Sequence, residues 1–105
     1  MIKFEGTFTV KNKKGWHARP CSRVVRLLKS HPNLSVVFEK LGCTCEPASG
    51  NSIFELMKLG LNHGDDVRYT LQGNDETEMH TLSENLLALN EQLAQEEDSE
   101  NIYGF

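Results

Sequence analysis

The chain has 105 residues, with fifteen acidic side chains against eleven basic ones and a formal charge of −4. That length makes one domain with a single core, and the acidic balance argues against a nucleic-acid binder. No apolar stretch approaches the roughly 20 residues needed to span a bilayer, and Met1 to Gly6 carry no signal-peptide pattern.

A monomeric, cytoplasmic protein without membrane insertion is the expectation. Three cysteines, an odd count, suit reduced thiols better than a disulfide framework.

In chain order, Ile2, Phe4, Gly6, Phe8 and Val10 share one parity and predict a half-buried strand. Lys11 to Gly15 form a polar loop. Ala18, Cys21, Val24, Val25 and Leu28 then recur at helical spacing, and His31-Pro32 ends that helix because proline disfavours the helical region in the residue before it.

Leu34 to Glu39, rich in β-branched and aromatic residues, predict a second strand. Lys40-Leu41-Gly42 predict a turn into a third strand near Cys43 to Glu46, followed by a loop through Pro47, Ser49, Gly50 and Asn51. Ser52 to Leu59 predict a short helix closed by Gly60 as a left-handed cap.

Val67, Tyr69 and Leu71 mark the fourth strand, and Asn74 or Asp75 caps a final helix. Its apolar positions are Met79, Leu82, Leu86, Leu89 and Leu93. From Glu96 to Phe105 the chain is acidic and without periodicity, which predicts a mobile tail after a domain of residues 1–95. The order β-α-β-β-α-β-α implies an α+β fold with three helices covering one face of a four-stranded antiparallel sheet.

The charges are unevenly spread: Arg19, Arg23, Arg26 and Lys29 crowd one segment, and Glu96, Glu97, Asp98 and Glu100 crowd another. The first segment also holds the most informative residue. His17 stands at the mouth of the first helix, within Gly15-Trp16-His17-Ala18-Arg19-Pro20.

A helix N-terminus offers backbone N–H groups without intrahelical partners and a partial positive charge. Ala18, the expected N-cap, has no side-chain oxygen to occupy those donors. Pro20 fits a first turn, where its missing N–H costs little. Arg19 adds a permanent cation suited to phosphate oxygens. Together Ala18 and Arg19 open a weak anion cradle beside an imidazole, and a neutral imidazole is a nucleophile.

That hexapeptide resembles the active-site signature of HPr, the histidine-containing phosphocarrier family of the phosphoenolpyruvate-dependent sugar phosphotransferase system. Ser52-Ile53-Phe54-Glu55-Leu56-Met57-Lys58-Leu59-Gly60 resembles the family's regulatory serine region, and the likeness runs from about residue 3 to 93.

The resemblance implies an open-faced β-sandwich and a stoichiometric phosphocarrier rather than an enzyme. His17 would take phosphate on Nδ1 from phosphorylated enzyme I and pass it to an EIIA-type protein. Arg19 would steady the phosphoryl group. Arg26 and Lys29 would meet acidic partner surfaces, with Ile53, Phe54 and Met57 as the apolar part of that surface. It implies no cofactor and no metal. A regulatory, nitrogen-branch-like HPr and an HPr-fold interaction module uncoupled from sugar uptake are the alternatives.

Ser52 reads in two ways. It can be a phosphoserine made by an HPr kinase/phosphorylase, or a plain helix cap in a capping box with Glu55. A phosphoserine carries about −1.5 to −2 charge, which Glu55 would repel. Trp16 stands where the family usually has an aliphatic residue, and an indole there would alter partner choice. Cys21 reads as a small buried hydrophobe. Cys43 and Cys45 read as free thiols, since no second ligand pair accompanies them for a metal.

Overall fold

The computed structural model describes residues 1–102, with side chains described through Glu97. Its elements are β1 (Ile2–Thr9), α1 (Ala18–Lys29), β2 (Ser35–Lys40), β3 (Ala48–Ser49), α2 (Ile53–Leu59), β4 (Asp66–Gly73) and α3 (Glu76–Ile102). The four strands form one antiparallel sheet in the order β1-β4-β2-β3.

Alternation explains why one face is covered. In β4, Val67, Tyr69 and Leu71 are buried, while Asp66, Arg68, Thr70 and Gln72 between them are not. Successive strand side chains point to opposite faces, so that parity selects the face the helices cover. Cys21, Val24, Val25 and Leu28 of α1, Leu56 and Leu59 of α2, and Met79, Leu82, Leu86, Leu89 and Leu93 of α3 complete a single apolar cluster. The order and the open-faced arrangement agree with the pattern read from the residues.

Two local expectations are corrected. The third strand is only Ala48–Ser49, and Cys43 to Glu46 lie in the preceding loop. In that loop Cys43 and Cys45 are joined by a disulfide rather than standing as free thiols, with their Cα atoms 5.2 Å apart. That spacing is within disulfide reach.

The segment expected as a tail from residue 96 begins within α3, which continues to Ile102; residues 103–105 lie outside the described residues. Three of the seven residues from 96 to 102 are glutamates, which are good helix formers. Its acids are also held: Glu96 pairs with Arg23 of α1, and Glu97 accepts two hydrogen bonds from the loop after β1.

Two glycines set the path of the chain. Gly15 has φ +70°, and a Cβ there would lie 2.5 Å from the Leu61 carbonyl oxygen, so only glycine fits this approach to His17. Gly60 ends α2 in the left-handed conformation at φ 64°, as its sequence position predicts.

Candidate functional site

His17 is itself the N-cap of α1, one residue earlier than expected, with φ −79° and ψ −165° and no side-chain capping bond. Ala18 is therefore the first helical residue. The first intrahelical bond runs from the Cys21 N–H to the His17 carbonyl at 3.1 Å, leaving the first-turn amides without acceptors inside the helix. No acidic side chain stands in that turn. An anion at the helix mouth consequently meets the partial positive charge of that turn.

Loop and core hold the histidine's backbone in place. The Trp16 N–H donates to the Leu61 carbonyl at 2.9 Å, and the Gly15 N–H donates to Asn12 at 3.1 Å. The Trp16 indole is 3% exposed, stacked on Phe8 at 5.3 Å and edge-on to Phe38 at 5.8 Å. Trp16 is thus part of the core rather than of the exposed surface beside His17. It anchors the loop from below, where a partner cannot reach it.

Cys21 is fully buried, and its Sγ donates to the Trp16 carbonyl at 3.3 Å. Burial pushes its thiol up to about 11, so at neutral pH it is a protonated, unreactive thiol, in keeping with a packing role.

A cavity of about 140 Å³ opens beside the imidazole, lined by Lys14, His17, Arg19, Pro20, Leu93, Glu96 and Glu97. The imidazole is half exposed, with 48% of its side-chain surface accessible. His17 and Arg19 thus meet at one small concave surface at the mouth of α1, as their spacing implies. The acidic residues were not foreseen there. Glu97 Oε1 lies 4.0 Å from His17 Nε2, accepts from Asn12 Nδ2 at 3.1 Å, and its Oε2 accepts from the Lys14 N–H at 3.1 Å.

A sequence signal for this existed. Glu96 and Glu97 follow Leu93 by three and four residues, so they continue the inward stripe of α3 after its leucines end.

The remaining predicted residues fall elsewhere. Arg26 and Lys29 are exposed in the last turn of α1. Ile53, Phe54 and Met57 are exposed on α2, Phe54 most of all at 86%, whereas Leu56 and Leu59 of the same helix are buried. Ser52 is the N-cap of α2, and its hydroxyl accepts the Glu55 N–H at 3.2 Å. Only half of the expected capping box forms. Glu55 Oε1 accepts from the Ser49 N–H at 3.2 Å, while the Ser52 N–H donates to the Ser49 carbonyl.

Among the described residues, no group of three or more His, Cys, Asp or Glu side chains is placed to hold a metal ion, and no helix is long and apolar enough to cross a membrane.

Against known proteins, residues 4–89 match the family model described as "PTS HPr component phosphorylation site". The chain belongs to the HPr family of the phosphotransferase system. The HPr-C-His structure from Thermoanaerobacter tengcongensis is similar at 30% identity and a TM-score of 0.71, covering 88% of this chain and 96% of that one. The phosphocarrier protein HPr from Bacillus anthracis str. Ames is similar at 25% identity and 0.69, covering 83% and 95%.

Among curated relatives, the multiphosphoryl transfer protein of Salmonella typhimurium is 37% identical over 68 residues, or 65% of this chain. That of Haemophilus influenzae is 31% identical over 70 residues, or 67% of this chain. The matches span only 18% and 14% of those relatives' lengths. HPr-family membership supports a general phosphocarrier role in the phosphotransferase system. The family match ends at residue 89, and Glu96 and Glu97 lie beyond it.

Proposed function

We propose that His17 is the phosphoryl acceptor of this HPr, taking the group on Nδ1 from the phosphohistidine of enzyme I and handing it to an EIIA-type protein. The observation that carries the reading is the placement of a half-exposed imidazole at an uncapped helix N-terminus, with Arg19 lining the same cavity. In the transfer, the Nδ1 lone pair attacks phosphorus in line, the donor's N–P bond breaks, and its electron pair returns to the donor imidazole. Arg19 and the first-turn amides offset charge on the phosphoryl oxygens, so positioning and electrostatics carry the step.

Such a cradle is shallow. A helix terminus contributes about 0.3–2 kcal/mol to an adjacent anion, enough to orient a phosphoryl group without trapping it. That suits a carrier with no turnover of its own, working in the cytoplasm between soluble partners. Arg26 and Lys29 would meet acidic partner surfaces, with Ile53, Phe54 and Met57 supplying the apolar contact. Ser52 is a second candidate acceptor, for a kinase, at the start of α2.

The test is incubation of the chain with phosphoenolpyruvate and enzyme I. Acid-labile phosphate should appear on the chain and move onward when an EIIA-type protein is added. No label under conditions where another HPr is phosphorylated would overturn the carrier reading.

A further inference from the structure

We propose that Glu97 is a positioning residue for His17: it keeps the imidazole proton on Nε2, so that Nδ1 presents its lone pair to the phosphoryl donor. The proposal deepens the carrier reading and rests on it.

Three observations lead to it. Glu97 Oε1 faces Nε2 of His17 at 4.0 Å, longer than a hydrogen bond but within ion-pair range. The carboxylate is not a loose surface charge, since only 12% of its side chain is exposed. It is fixed by Asn12 Nδ2, from a side chain that is itself fully buried, and by the Lys14 N–H. The ion pairs Lys11–Glu91 and Arg23–Glu96 tie the same stretch of α3 to the loop after β1 and to α1.

The chemistry follows from the two ring nitrogens. An anion beside one nitrogen favours the N–H on that side and leaves the lone pair on the other. Here that assigns the proton to Nε2 and nucleophilicity to Nδ1, the nitrogen nearer the backbone. As the N–P bond forms at Nδ1, the Nε2 proton stays in place and the ring gains positive charge. Glu97 offsets that charge on one side of the ring, and Arg19 meets the phosphoryl oxygens. An acid in the cavity also repels an incoming phosphoryl group, and the sign of the rate change separates the two effects.

The experiment uses the full chain and its Glu97→Gln and Glu97→Ala variants, with Glu84→Gln as a control that removes one exposed charge from the same helix outside the cavity. Nitrogen-15 NMR of His17 in its neutral form should show Nε2 protonated and Nδ1 bare in the parent and in Glu84→Gln. In both Glu97 variants the two shifts should move toward each other. Phosphorylation by enzyme I should slow about fivefold in Glu97→Gln, the size expected of a half-exposed charge pair.

Unchanged shifts and rate in both variants would overturn the proposal, as would faster phosphorylation, which would make Glu97 a repelling gate. The NMR arm needs no phosphoryl donor. Failure of the carrier reading would therefore appear separately, as an unlabelled parent chain with the tautomer effect intact.

Discussion

Arg23 of α1 forms an ion pair with Glu96 of α3, bridging 73 positions of sequence at the edge of the His17 cavity. Both side chains are partly exposed, so the pair itself contributes about 1 kcal/mol or less. Replacing Arg23 and Glu96 together by Gln should lower the melting temperature by only a few degrees. Hydrogen exchange of the amides around residues 94–97 should accelerate more, because the pair latches one end of a helix rather than the core. A loss of stability comparable to a core truncation would show that the extension of α3 is integral to the fold.

Cys21 supplies a prediction in pH. Its thiol is raised from 9.0 to about 11 by burial. The folded state therefore holds a proton that the unfolded state releases first as pH rises. The associated stability is complete below pH 9 and is lost progressively toward pH 11. Urea melts across that window should show the decline, and Cys21→Ala should flatten part of it. Native protein should also resist alkylation at pH 8 far more than unfolded protein does; equal rates would place the thiol at the surface.

At Ser52 the hydroxyl has a structural duty. Ser52→Ala should cost about 1 kcal/mol through loss of the cap to the Glu55 N–H. If a kinase acts on Ser52, the Glu55 carboxylate opposes the new charge, and Glu55→Gln should be phosphorylated faster than the parent. Equal rates in a kinase assay would remove the repulsion argument.

Phe54 tests the docking surface. At 86% exposure it adds little to the core, so Phe54→Ala should leave the melting temperature within about a degree. It should raise the KM for phosphoryl transfer with little change in kcat, since it would remove binding rather than chemistry. An unchanged KM would place partner docking elsewhere.

Much of this architecture is legible in the residues, for physical reasons. Alternation at Val67, Tyr69 and Leu71, the leucine stripe of α3 and the left-handed Gly60 each report a local geometry with its own period or φ. The mouth of α1 is legible because uncapped turns, proline and arginine act over a few positions.

Long-range contacts were less so. The pairing of Arg23 with Glu96 and the approach of Glu97 to His17 depend on where α3 passes, which no local pattern encodes. The acidic run shows no apolar periodicity because its stripe changes from leucine to glutamate at the end of the core. The burial of Trp16 was not legible either, because its enclosure by Phe8 and Phe38 depends on residues distant in sequence. The turn predicted at Lys40-Leu41-Gly42 is present, with Gly42 at φ 78°, but the strand after it forms only at Ala48–Ser49.

The central claim is that His17 carries the phosphoryl group, and the chain offers three other histidines at positions 31, 63 and 80 as internal controls. The most direct measurement is to label the chain with phosphoenolpyruvate and enzyme I, digest it under alkaline conditions that preserve phosphohistidine, and map the phosphate by mass spectrometry. The account predicts phosphate on the peptide containing His17, and none in His17→Ala. Phosphate on His31, His63 or His80, or label surviving in His17→Ala, would contradict it.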